Sequence, residues 1–352
     1  MHCDILPQAC LPKTFYNRVS SFVRRPAQTQ RIRLMKFVSF VPALLVSSVL
    51  GYFSAPAHAG CGSGFCTVNS NWDAQGPAEP GARLGLRYEY IKLDQLYAGS
   101  EKTSADKVAD HHEIETETLN KNLLATLDYS LNPLWSVSIH LPLSDRAHSH
   151  LMSETGESES WNFTALGDVR VINRYRFAQG GESPWGLSAG VKLPTGSIDK
   201  TNAAGDAADR MFQPGSGTTD VLLGFFGNWQ VLLAEHPSVW FMEAQIQQPI
   251  NERSHYTPGA QVLLDGGITY GLGTQTNLML QSNLLIKDRD SGTAAESDDS
   301  GGSFLFLSPG FAYAASRALT VYSFVQVPLY QHVNGVQLTA DASFAAGIRY
   351  RL

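Results

Sequence analysis

The sequence is poor in the two features that most often organise a chain of this size, cysteine and long apolar runs. Only 4 of its 352 residues are cysteine, too few for the disulfide framework of a small secreted scaffold. No Cys-x-x-Cys-His occurs, so that motif offers no attachment for haem, and no cofactor is expected. Charged residues make up 16% of the chain, and the one long apolar run lies near its start. That excludes a helical inner-membrane protein. Basic residues are scarce as well. Residues 1–59 hold seven of the 26 Lys and Arg and one of the 32 Asp and Glu, so the remainder carries a formal charge of about −12. Such a balance argues against a nucleic-acid partner.

The early apolar run reads as a targeting segment. Met35-Lys36 is followed by an apolar stretch from Phe37 to Phe53 and then by Ala57-His58-Ala59, a small-x-small cleavage signal. Residues 35–59 are therefore expected to be a secretory signal peptide. Residues 1–34 show no folding pattern and are expected to be an unstructured or mis-assigned extension. Residues 60–81 are rich in Gly and Pro and read as a periplasmic lead-in or plug. In an oxidising periplasm Cys61 and Cys66 of GCGSGFC fit a local disulfide, with a metal or redox role as the alternative. A lipid anchor on Cys61 is disfavoured because His58 stands where such signals carry Leu.

What the sequence does have is alternation. In LGDVRVINRYRF (Leu166 to Phe177) one parity carries Asp168, Arg170, Ile172, Arg174 and Arg176, and the other Gly167, Val169, Val171, Asn173, Tyr175 and Phe177. A period of two marks a strand with a charged face and a largely apolar face. A soluble sandwich would satisfy one such strand. Roughly ten-residue alternating segments recur along the chain, separated by turn signals, and that repetition is what a transmembrane barrel needs. The fold class expected is all-β, an antiparallel transmembrane β-barrel of about 12 strands in an up-and-down meander over residues 82–352. The expected strands are 82–97, 116–131, 135–144, 166–177, 185–197, 218–231, 239–248, 258–270, 276–287, 304–314, 319–330 and 336–352.

Short connections follow the even strands and most long ones follow the odd strands, so both chain termini of the barrel fall on the short-turn, periplasmic side. Tyr129, Trp135, Tyr175, Phe177, Trp185, Trp229, Trp240, Tyr313 and Tyr350 sit near the short-turn ends on the apolar parity, as an interfacial aromatic girdle would. Bacterial (Gram-negative) outer-membrane localisation follows, with outer-membrane lipid as the surrounding partner. The closing FAAGIRYRL ends its apolar parity on Leu352. It resembles the C-terminal signal of outer-membrane proteins, which implies insertion by the barrel-assembly machinery, although Phe is the more usual last residue.

If the apolar parities face lipid, the others line a lumen, because an Arg turned to lipid at mid-membrane costs about 2–4 kcal/mol. The pore-lining candidates are Arg83, Arg87, Glu89, Asp128, Asp168, Arg170, Arg174, Arg176, Lys192, Asp220, Glu243, Asp265, Asp341 and Arg349, with His140, Lys287 and Arg351 beside them. These charges suit either an interior ion-pair network or a selectivity lining. Arg83, Arg87, Arg174, Arg176, Arg349 and Arg351 gather toward the periplasmic end and suggest anion preference. The long outer loops 98–115 and 145–160 carry His111, His112, His148 and His150, weak metal candidates that read first as solvated loop histidines. The loop 288–302 reads as flexible and acidic.

LGDVRVINRYRF, GLSAGVKLPTGS, GSGTTDVLLG and the closing GIRYRL resemble the outer-membrane transporter family labelled after the MetA pathway of phenol degradation. The LPTGS and GSGTTD pair is the most specific part. The resemblance implies a barrel with a channel or transport role and suggests small aromatic or hydrophobic compounds as solutes. A non-conducting structural or surface-binding barrel is the alternative. A lipid hydrolase is a weaker one, since no nucleophile motif accompanies His140. No catalytic residue is expected, and oligomeric state is not legible.

Overall fold

The computed structural model describes residues 80–108, 113–152, 155–177 and 185–352. The signal peptide, the extension before it, most of the lead-in segment, the Cys61 and Cys66 pair, and His111 and His112 lie outside the described residues.

Twelve antiparallel strands close into a barrel. They are β1 (Gly81–Leu93), β2 (Glu113–Ser130), β3 (Trp135–Met152), β4 (Ser158–Leu166 continuing as Val169–Arg176), β5 (Trp185–Leu193), β6 (Asp220–Leu233), β7 (His236–Pro249), β8 (Gln261–Gly271), β9 (Thr276–Lys287), β10 (Gly302–Ala314), β11 (Leu319–Val333) and β12 (Ser343–Arg351). Each pairs with its neighbours in sequence, and β12 pairs back onto β1 from Arg83 opposite Arg351 to Ile91 opposite Ser343. No edge is left open, which is the condition for a sheet to stand in hydrocarbon.

The outer face is apolar in the pattern expected. Leu84, Leu86, Ile139, Leu141, Leu187, Leu223, Ile246, Leu278, Leu280 and Phe344 are all exposed, which in water would be an untenable patch. At the short-turn end Tyr129, Trp135, Trp240, Tyr313 and Tyr350 are exposed too. Trp135 packs on Tyr175 with ring centroids 4.7 Å apart, and Trp185 on Trp229 at 4.5 Å. The short turns are built by local chemistry. Asn132 Oδ1 accepts from the amides of Leu134 and Trp135, both at 2.9 Å, closing the turn that Pro133 starts.

Three features depart from the sequence reading. First, β3 runs to Met152, so residues 145–152 are strand rather than loop. The outward side chains turn polar after Leu143 and, on β4, before Leu166; these two residues are paired, and the next outward pair is Asp145 with Thr164. This row marks the outer edge of the lipid belt, and above it the strands stand in water. Second, β4 carries a bulge. Its register with β3 slips by one residue between the pairs Leu143–Leu166 and His140–Arg170, so Gly167 to Val169 oppose Leu141 and Pro142. Pro142 has no amide to give, and its carbonyl accepts from Gly167 at 2.9 Å. The extra residue reverses which parity faces inward: Trp161 and Phe163 are buried above the bulge and Ile172 below it. Third, residues 336–339 leave the wall. Val336–Thr339 pairs with Gln95–Ala98, which in turn pairs with Glu101–Lys102, in a separate three-stranded sheet on the long-loop side.

Candidate functional site

The lumen is the candidate site, and its wall divides into arcs of different chemistry. One arc, from β1 to β7, carries most of the charges, and Arg349 of β12 adjoins it across the closure. Arg87 and Glu89 are buried and paired at 2.7 Å. Glu89 also accepts from Asn122 at 3.4 Å. Asp128 accepts from Ser138 at 2.5 Å. Arg174 pairs with Glu243 across the barrel interior, and Arg176 donates to Asn228 at 3.4 Å. Arg174 and Arg176 also lie over the Phe226 ring, 5.0 and 5.4 Å from its centre, which holds both guanidinium planes against the wall. The charges acting on Arg170 are those of Asp220, Asp168, Arg87 and Glu89. His140 stands opposite Arg170 in the ladder. Arg83 faces Asp128 across β1 and β2, and Arg349 is buried with its guanidinium 6.0 Å from the Tyr322 ring.

The other arc, from β8 to β12, is mostly neutral, with Asp265, Lys287 and Arg349 as its charged members. Asn283 bridges Asp265 at 2.8 Å and Ser308 at 2.8 Å, and Gln326 continues the ladder to Ser308 at 3.3 Å and Ser343 at 3.4 Å. Toward the short-turn end lie Met279, Ala312, Tyr322 and Phe324, joined to Phe241 of β7 in one apolar cluster. Phe324 lies flat over Gly310 and Tyr322 over Gly347. With no Cβ beneath them these rings are accommodated against the wall.

A dense polar node lies where β4 is bulged. Asp168 accepts from the amide of Gly196 at 3.0 Å, the amide of Ser216 at 2.9 Å and the Ser216 hydroxyl at 2.7 Å. Lys192 reaches Asp220 at 2.8 Å, Asp168 at 3.5 Å and Ser216 at 2.5 Å. Asp220 also accepts from Thr218 at 2.8 Å and Gln247 at 2.6 Å. The node therefore joins the LGD, LPTGS and GSGTTD runs, the residues that carry the resemblance noted from sequence.

From this node the connection 194–219 packs against the inward faces of β3 and β4. Arg146 donates to the Phe212 carbonyl at 2.5 Å and to Asn120 at 2.6 Å. His148 stacks on Phe212 with ring centroids 3.8 Å apart, and Trp161 donates to the Asp206 carbonyl at 2.9 Å. Arg210 donates to the carbonyls of Ile198 and Ser216 at 3.2 and 2.8 Å and lies 5.1 Å from the Tyr256 ring. Elsewhere on this side Leu338 of the small sheet joins the apolar cluster, and its amide donates to Glu115 at 3.1 Å.

Of the residues singled out from sequence, Arg87, Glu89, Asp128, Lys192, Asp220, Glu243 and Arg349 are buried on the barrel strands. Asp341 does not line the lumen: its side chain is 63% exposed and pairs with Lys102 at 2.9 Å, because β12 starts only at Ser343. Arg351 is exposed at the strand end. His148 and His150 are not solvated loop residues but buried on β3, 2% and 4% exposed. The loop 288–301 is tied down rather than loose. Asp290, 1% exposed, accepts from Tyr256 at 2.7 Å and from the Gly259 amide at 2.8 Å, and pairs with Lys287 at 2.7 Å.

A closed ring of twelve strands, lipid-facing outside and polar within, defines an outer-membrane β-barrel, and this chain is one. Comparisons with protein-family models and with curated proteins give no match. Among solved structures it is similar to the COG4313 outer membrane channel from Pseudomonas putida F1, with a TM-score of 0.59 and 14% identity over 81% of this chain and 99% of that one. Weaker likenesses are to the NanC porin, at TM-score 0.43 and 12% identity over 76% and 100%, and to the CymD monoaromatic hydrocarbon channel, at 0.40 and 8% over 82% and 94%. The likeness to the COG4313 channel is one of fold.

Proposed function

We propose that the chain is a channel for small solutes, and that its preferred solutes carry both an apolar ring and a negative charge. One observation carries this reading: within a closed ring, an arginine-bearing arc (Arg87, Arg170, Arg174, Arg176) and an arc bearing Met279, Tyr322 and Phe324 line one interior. An aromatic carboxylate would lay its ring on the second arc and its charge toward the first. Pairing with Glu89 and Glu243 tempers the arginine field. The sequence resemblance to the phenol-degradation family suggests small aromatic or hydrophobic compounds, which agrees with the ring but not with the charge.

The test is single-channel conductance of the refolded barrel, with liposome swelling in benzoate, glucose and glycine. Swelling fastest in benzoate, with an anion-side reversal potential, is the expected result. Zero conductance with intact heat-modifiable migration would favour a non-conducting barrel, and release of fatty acid from phospholipid would favour a hydrolase.

A further inference from the structure

Above the lipid belt, the outer ends of β2, β3 and β4 and the connection 194–219 bring together groups that the lumen lining does not use. His150 is 4% exposed, yet its buried Nε2 makes no hydrogen bond to a described residue. Its Nδ1 stands 3.6 Å from Glu113 and its Nε2 stands 3.6 Å from Glu159. Both gaps are too wide for a hydrogen bond. The first matches the spacing of neighbouring ligand atoms around one ion, roughly 3–3.6 Å when each lies about 2.0–2.2 Å from the metal. Asp209 of the connection completes the group: ligand atoms of Glu113, His150 and Asp209 all lie within 4.8 Å of one another.

Charge points the same way. Among the described residues no lysine or arginine pairs with Glu113, Glu159, Asp209 or Glu296. Among the described residues the cluster therefore has no lysine or arginine to balance its carboxylates.

We propose that Glu113, Asp209 and His150 Nδ1 bind a divalent first-row transition ion, with Glu159 closing on Nε2 to orient the ring once the ion is bound. A carboxylate opposite the metal-binding nitrogen is the usual way such a ring is held. One nitrogen with carboxylate oxygens selects zinc-like ions over calcium or magnesium, which take oxygen alone. Because Asp209 belongs to the connection and the other ligands to the wall, the ion would act as a clasp. It would fix residues 194–219 against β2 and β3, whatever the barrel conducts. His148 takes no part: its Nδ1 is bonded to Thr118 at 2.8 Å and its ring is stacked on Phe212.

The experiment uses the refolded barrel, without an affinity tag, titrated with ZnCl2 by calorimetry and with CoCl2 by visible absorption, with CaCl2 and MgCl2 in parallel. The expected result is one saturable zinc ion per chain. His150→Gln and Asp209→Asn should each weaken binding at least tenfold while keeping heat-modifiable migration. Zinc should also slow proteolysis within residues 194–219 of the wild type and not of Asp209→Asn. Three outcomes would overturn the proposal: no saturable binding by the wild type, calcium binding as tightly as zinc, or loss of binding in His111→Ala/His112→Ala with His150→Gln and Asp209→Asn unaffected.

Discussion

Gly196 and Gly215 meet backbone to backbone at the polar node. A β-carbon on Gly196 would stand 2.6 Å from Gly215 Cα, and one on Gly215 would stand 2.5 Å from the Gly196 carbonyl carbon. This contact brings the two ends of the connection 194–219 together and presents the amides of Gly196 and Ser216 to Asp168. Neither glycine has room for a methyl group without moving backbone. Gly196→Ala and Gly215→Ala should each cost about 1–3 kcal/mol, the range for overpacking a tight contact. They should also release the connection, seen as faster proteolysis within 194–219 and, if the barrel conducts, as a larger and noisier unit conductance.

Lys192 is buried between Asp168 and Asp220, and removing it would take away the cation that contacts both carboxylates. Lys192→Met should lower stability by about 3–5 kcal/mol, measured as the urea midpoint of the refolded barrel. Adding Asp220→Asn should recover part of the loss. An unchanged midpoint for the single variant would mean that water already solvates the node.

How much of this was legible in the sequence depends on what a parity pattern can carry. Along Arg170, Ile172, Arg174 and Arg176 the inward face reads directly, because one misplaced charge on the lipid side is too costly to tolerate. The bulge at Gly167 and Asp168 does not read, since one inserted residue leaves the local alternation on either side intact while exchanging the faces. A second bulge on β11 is hidden in the same way. There Leu305 pairs with Tyr330 and Phe306 with Pro328, leaving Leu329 extra. Strand also looks like loop once it leaves the lipid: from Asp145 to Ser149 the outward side chains are polar or small, so the stretch bearing His148 and His150 has no lipid-facing row to reveal it. Asp341 failed in the opposite direction, because alternation runs on through Val336 to Thr339 although that segment pairs elsewhere.

Arg174 and Arg176 lie toward the short-turn end and share the Phe226 ring. Arg176→Glu replaces an inward cation by an anion at that end, so it should move the reversal potential toward cations and lower the anion-to-cation permeability ratio several-fold. Phe226→Leu, which removes the stacking surface but no charge, should change conductance noise more than selectivity. The check is a planar-bilayer measurement in a salt gradient.

The turn between β6 and β7 is two residues long, and both Ala234 and Glu235 are left-handed, with φ of 48° and 68°. A two-residue hairpin of this kind favours Asn-Gly, for which the left-handed region is cheap. Ala234→Asn/Glu235→Gly should therefore stabilise the barrel by about 1 kcal/mol, read from the urea midpoint, with conductance unchanged.

The acidic groups on the outer side set a pH dependence. Asp209 is raised from 3.8 to about 6 by burial and by Glu113 and Glu159, with His150 opposing, and Glu296 is raised from 4.5 to about 7 by burial and by Asp209, Glu113 and Asp299. A carboxyl whose folded pKa exceeds its unfolded one favours the folded state while protonated. That advantage is whole below about pH 4 and is lost as pH rises through 6 to 7. In metal-free buffer, the connection 194–219 and the loop 288–301 should resist proteolysis better at pH 5 than at pH 8, and Asp209→Asn should flatten the difference for 194–219. Zinc competes with protons for Asp209, so its protection should be greatest at pH 8, reversing the order. Equal cleavage rates at both pH values without metal would mean that these carboxyls are solvated and ionised throughout.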